Sequence, residues 1–188
     1  MLYNERAIKK VLTCLYLDND LIISPDYPLR LNDFALKKYQ AIYSSLYNLY
    51  SLGNNNIDIS DIIGYFQQQA TMYGKFVEDG GMDVLYEICN DATAPNFEYN
   101  YKMVKRYALL TDLQAGGIDV TDLYDVTLPV DKLEQQLSRF NAMEIEDIFK
   151  HYNIKLNDIQ NKYENFLEKT CISAANGIEE LIKQLQTI

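Results

Sequence analysis

The chain has 188 residues, 48% of them apolar, and a net charge of −10. That length supports one domain with a sizeable core plus a smaller appendage, and the apolar content excludes a disordered chain. No run of 18 apolar residues exists to span a membrane, and Met1 to Lys10, with Asn4, Glu5, Arg6, Lys9 and Lys10, does not follow a signal-peptide pattern.

The acidity is uneven: residues 1–110 hold 10 basic and 13 acidic side chains, and residues 111–188 hold 7 and 14, so the second part carries most of the negative charge. Neither part shows the basic stripe with which a nucleic-acid binder neutralises phosphates, which disfavours direct DNA binding. Cys14, Cys89 and Cys171 are widely spaced and odd in number, which reads as reduced thiols in a cytoplasmic protein.

Helical spacing runs through the chain. Val11, Leu12, Leu15 and Tyr16 predict a first helix over about 5–17, stopped by Asp18-Asn19-Asp20. Ser24-Pro25-Asp26-Tyr27-Pro28 is a connector, since proline fixes its own φ and disfavours helix in the residue before it. Asn32 or Asp33 is expected to cap a helix from about Phe34 to Leu52, ended by Gly53. Asp58 or Ser60 starts a short helix with Ile62, Ile63 and Phe66. The segment through Gly74 and Lys75 reads as a loop into the Glu78–Gly81 turn, and a helix on Met82, Leu85, Tyr86 and Ile88 follows. Asn96 caps the next helix, whose buried side is expected to carry Tyr99, Met103, Val104, Tyr107, Leu110 and Leu113. Gly116-Gly117 suggests an end, but Val120, Leu123 and Tyr124 prolong the rhythm to about 124. Pro129 suits the first turn of a helix with Leu133, Leu137 and Phe140, expected to pair antiparallel with the preceding one. Ile145 and Phe149 extend the pattern. Two further helices are expected, on Ile154 to Leu167 and on Ile178 to Leu185.

These elements predict an all-α fold: a compact helical head over 1–95, a helical hairpin over 96–152 and a linker tail over 153–188.

Chemistry is scarce. A phosphate-binding loop needs spaced glycines followed by Lys and Ser/Thr; Gly74-Lys75-Phe76 lacks the earlier glycine and the hydroxyl, and Gly80-Gly81 is followed by Met82 and Asp83. His151 is the only histidine, so neither a catalytic triad nor a histidine-rich metal site has support. Carboxylates at 112, 119, 122, 125, 144, 146 and 147 raise a metal-site reading, but no Glu-x-x-His pair accompanies them, and solvated helix faces and first-turn acids account for them better. The tyrosines sit among Leu and Ile at matching spacing, which favours core and interface roles over base stacking. No catalytic, cofactor or metal residue is assigned. By elimination the chain is expected to bind other proteins.

Four runs then match a known pattern in order and spacing: Val11 to Asp20; Asp33-Phe34 with Ile42-Tyr43, Leu46, Leu49-Tyr50, Gly53 and Ile57-Asp58; Gly80-Gly81 with Leu85 and Ile88; and Asn96-Phe97-Glu98-Tyr99 with Met103-Val104 and Leu109-Leu110. Together they resemble the N-terminal domain of DnaB-type replicative DNA helicases. The chain departs from that family at Ile8, where an acidic residue is usual, at Thr13, usually glycine, and at Thr111, often basic. The Asn54–Asn56 turn looks one residue longer. Such departures imply a divergent member, of phage or mobile-element origin.

The resemblance implies a collar domain that forms dimers or a trimer of dimers and receives a primase or a helicase loader. ATP, Mg and DNA would concern only a RecA-like motor outside this chain, with residues 153–188 as the linker toward it. The apolar hairpin residues Met103, Tyr107, Leu110, Leu133, Leu137 and Phe140 are then the interface candidates, and Leu110→Asp is expected to break the assembly without unfolding the head. Two rivals stand beside this reading. One is a stand-alone adaptor, loader or inhibitor sharing the domain, separated by whether a phosphate-binding loop follows in the reading frame. The other is a carboxylate metalloenzyme, separated by metal analysis.

Overall fold

The structure, a computed structural model, describes residues 2–91, 93 and 96–152. The described residues hold helices and turns and no strand. Two compact units divide the chain, Met1–Ala142 and Met143–Ile188. The first contains α1 (Glu5–Leu17), α2 (Lys37–Ser51), α3 (Ile59–Gln67), α4 (Ala70–Glu78), α5 (Gly81–Asn90), α6 (Phe97–Ala115) and α7 (Val130–Ala142), with 3-10 turns at Asn19–Ile23 and Leu31–Asp33. In the second, only α8 (Ile145–His151) and its flanks are described, and the helices expected beyond Asn153 lie outside the described residues.

α1 is the axis of the first unit. Asn4 caps it by accepting the Ala7 N–H at 3.0 Å. Ala7, Ile8, Val11, Leu12, Cys14 and Leu15 are all buried, so apolar residues cover more than one stripe of the helix. A helix of that kind must be enclosed on several sides: α2, α5, α6 and the turn at Asn19–Ile23 all pack on it. Thr13, where the family pattern has glycine, is itself buried, and its hydroxyl donates to the Ile88 carbonyl of α5 at 3.4 Å. Burial pushes the thiols of Cys14 and Cys89 up to about 11, which keeps both in the unreactive protonated form.

The Asp18-Asn19-Asp20 stop works through Asn19. Its amide donates to the carbonyls of Leu15 at 2.8 Å and Tyr16 at 3.1 Å, closing the end of α1, while its Oδ1 accepts the Ile57 N–H at 3.0 Å. One buried side chain thus ends a helix and anchors the segment leading into α3.

α2 starts at Lys37, three residues later than expected from Asn32 or Asp33 as its cap. Asp33 is engaged elsewhere. Its carboxylate, shielded from solvent, accepts the Arg30 N–H at 2.8 Å and pairs with Lys105 of α6 at 2.8 Å and with the Arg30 guanidinium at 3.2 Å. Arg30 also reaches Asp112 at 3.1 Å. A buried carboxylate requires such partners, and this one fastens the 24–33 connector to α6. Asp58 does cap α3, in a reciprocal box with Asp61.

The expected loop through Gly74 and Lys75 is instead helical, as α4. Gly74 faces open space and breaks nothing, while Phe76 is buried and stacks on Phe66 with ring centroids 4.5 Å apart. The apolar contact outweighs the weak helix propensity of glycine. Gly81 serves that same ring: a Cβ there would lie 2.4 Å from Phe76 atoms.

α6 ends at Ala115 and does not continue to 124. Gly117 takes φ +84, and the N–H groups of Gly117 and Ile118 return to the carbonyls of Gln114 and Leu113, each at 3.0 Å. Val120 and Leu123 are buried all the same, in a turn whose spacing imitates a helix. Tyr99, expected on the buried side, is 56% exposed.

Two measurements check this packing. Asn19→Ala removes three hydrogen bonds, two of them buried, each contributing ~1 kcal/mol net, so urea unfolding should show a loss of about 2–3 kcal/mol. Asp91 is held at about 2, first by its bond to Lys10 of α1 and then by Thr93. A depressed carboxylate contributes stability above its unfolded value of 3.8, and that contribution is lost as pH falls through about 2. Unfolding midpoints should therefore fall from pH 5 to pH 2, and fall less steeply in Asp91→Asn.

Candidate assembly surface

The interface candidates lie on α6 and α7. α6 begins at Asn96, whose Oδ1 accepts the Tyr99 N–H at 3.1 Å. Apolar residues then recur on one side of it, and that side packs along α1. Met103, Tyr107 and Leu110 are 3%, 5% and 0% exposed within this single chain. Phe140 of α7 is 0% exposed, with its ring edge-on to Tyr107 at 5.1 Å. These four side chains are thus covered by the chain itself, and Tyr107 is so enclosed that its hydroxyl is pushed up to about 12. Leu110→Asp is consequently a core substitution that puts a carboxylate beside α1, so the expectation that it leaves the head folded does not hold.

Leu133 and Leu137 differ. Both are half-buried, on the stripe that runs Val130, Leu133, Leu137, Phe140 along α7. Exposure falls along it from 73% at Val130 to zero at Phe140. Val126, in the preceding turn, is 67% exposed. The helix is seated at its C-terminal end, by Phe140 on Tyr107 and by the Arg106 guanidinium donating to the Asn141 carbonyl at 3.2 Å. Its first turns present apolar side chains outward. Sequence reading singled out Leu133 and Leu137 and missed Val130, although its i, i+3, i+7 spacing with them was visible.

The 116–129 connection is built to hold that stripe in place. Gln136 of α7 accepts the Asp125 N–H at 2.7 Å and donates to the carbonyls of Thr121 at 2.8 Å and Asp122 at 3.0 Å. Asp119 and Asp125 each accept from the backbone N–H and the hydroxyl of the threonine two residues on. The Thr121 bonds, backbone first, lower the Asp119 carboxyl. Asp112 is paired with Arg30 and Asp147 with Lys150 at 3.3 Å.

Other candidate chemistry resolves into structure. Gly74-Lys75 lies inside α4, where the N–H groups are committed to the helix. His151 is an exposed helix-end residue with its ring 4.9 Å from Tyr152. Among the described residues, no three His, Cys, Asp or Glu gather in a cluster able to hold a metal, and no helix is long and apolar enough to cross a membrane.

Comparison with known proteins agrees with the helical architecture. The family model described as the DnaB-like helicase N terminal domain matches residues 1–106, spanning α1 to α5 and the first half of α6. The match is to the N-terminal domain and not to an ATPase motor. An SPbeta prophage-derived uncharacterized protein, YorI, of Bacillus subtilis (strain 168) is 28% identical over 189 residues. The alignment takes in 99% of this chain but 37% of that relative, so the chain spans little more than a third of its length. No solved structure matches significantly. The departures at Ile8, Thr13 and Thr111 are each absorbed locally: Ile8 is in the core, Thr13 bonds α5, and the Thr111 hydroxyl lies 3.2 Å from the Leu2 carbonyl. With its all-helical fold and a family match over more than half its length, the chain belongs to the DnaB-like helicase N-terminal domain family.

Proposed function

We propose that these residues form the self-association and partner-docking domain of a replicative DNA helicase, working in the cytoplasm. Copies join through the outward apolar stripe of α7, and the assembled collar receives a primase or a helicase loader. Hydrolysis of ATP with Mg, and contact with DNA, belong to a motor outside these residues. Family membership supports the helicase setting, and the longer prophage relative leaves room for a further domain. The observation that carries the assembly role is the exposure of Val126 and Val130 beside half-buried Leu133 and Leu137, on a helix already fixed at its other end.

The division of labour follows from burial. Met103, Tyr107, Leu110 and Phe140 hold the hairpin region to the head, and Val130, Leu133 and Leu137 meet the second copy. A standard interface buries ~800 Å² per partner. The stripe alone supplies a fraction of that, so self-association should respond to dilution through the micromolar range.

Sedimentation velocity at micromolar concentration should show dimers or larger rings for the natural sequence. Leu133→Asp with Leu137→Asp should yield monomers with an unchanged helical circular-dichroism signal. Leu110→Asp should lose helicity, by about 3 kcal/mol or more of destabilisation. A natural sequence that stays monomeric throughout that range, or a double variant that assembles as before, rejects the assignment.

A further inference from the structure

An apolar depression lies open on the first unit, between the first half of α2 and α4. It is a groove of about 410 Å³, with Phe76 and Ala41 among its lining and with Leu31 and Met72, each 45% exposed, beside them. Lys37, Lys38 and Lys75 also line it, against one carboxylate, Asp79.

Several cations of this acidic protein are committed to carboxylates. Lys9, Lys10, Arg30, Lys102, Lys105 and Lys150 all sit in ion pairs. The three groove lysines form none among the described residues. Lys37 donates to Gln40 Oε1 at 3.0 Å, Lys38 lies 5.5 Å from the centroid of the Tyr39 ring and acts at longer range on Glu5, and Lys75 stands on the exposed side of α4. In a chain of net charge −10, three such cations around an apolar groove reverse the local sign.

We infer that this groove docks an acidic amphipathic helix from a partner protein. One or two apolar side chains of that helix seat between Leu31 and Met72 over Phe76, and its carboxylates meet Lys37, Lys38 and Lys75. Charge complementarity selects this occupant. A basic helix meets three like charges, and a nucleic acid requires a longer basic track than three lysines on an acidic surface. The inference names the chemistry of the docked partner within the reading above, and it is separable from self-association because α7 contributes nothing to the groove.

The test uses the full chain and a fluorescein-labelled 16-residue synthetic helix, with Leu at positions spaced i, i+3, i+4 and i+7 and Glu on the other faces. A companion peptide carries Lys in place of Glu. Fluorescence anisotropy should show saturable binding of the acidic helix, weakened at least ~tenfold by Lys37→Glu with Lys75→Glu and weakened by 0.5 M salt. Amide chemical shifts should move at Ala41, Met72 and Lys75. The substituted side chains are on the surface, so thermal melting should be unchanged, and Met72→Glu gives an independent block of the apolar seat. Absence of binding up to millimolar peptide, equal binding of the basic peptide, or undiminished affinity in both variants overturns the inference. A change in sedimentation on charge reversal without peptide assigns the groove to a second copy and overturns it as well.

Discussion

The enclosure of α1 governs the rest of the structure. A helix with Ala7, Ile8, Val11, Leu12, Cys14 and Leu15 all buried cannot sit on a surface, so the chain must return to it several times. At ~25 cal/mol per Å² of apolar area removed from water, this shared burial is the largest favourable term available to the fold. α6 supplies the most extensive part of the enclosure, from far along the sequence. Its apolar side is thereby used up within one chain. The interface proposed between copies therefore draws on α7, whose Val130, Leu133 and Leu137 still reach solvent.

The buried Asp33 shows how polar groups complete what apolar burial begins. Arg30 and Lys105 approach the same carboxylate from the connector and from α6. Tyr101 of α6 donates to the Pro28 carbonyl at 3.2 Å, and Tyr27 packs edge-on to Phe97 and Tyr101. The proline-rich connector, which has no regular structure to satisfy its carbonyls, is thus held by side chains of a helix some seventy residues away in sequence. Removing one partner would leave charge stranded in the interior, which costs more than the pair itself contributes.

Local signals were legible in the sequence wherever local physics decides. α1 follows its predicted span, and Asp58 and Asn96 cap helices as expected of side-chain oxygens. The misreadings arise where distant partners decide. Asp33 looks like a helix cap until Lys105 is brought beside it. Gly74 looks like a loop until Phe76 finds Phe66. Val120 and Leu123 look like more helix, yet a turn buries them equally well. Of the candidate assembly residues, spacing identified an apolar set without separating its two destinations, because periodicity reports that a face is apolar and not what covers it. Only the fold distinguishes Leu110, enclosed by its own chain, from Leu133, which reaches solvent.

Hydrogen exchange followed against protein concentration examines that distinction most directly. Amides of α6 should be protected to the same degree at nanomolar and at tens of micromolar chain, because their cover is intramolecular. Those of the first turns of α7, from Val130 to Leu137, should gain protection as concentration rises. Exchange in α7 that ignores concentration, or protection in α6 that disappears on dilution, would contradict the account.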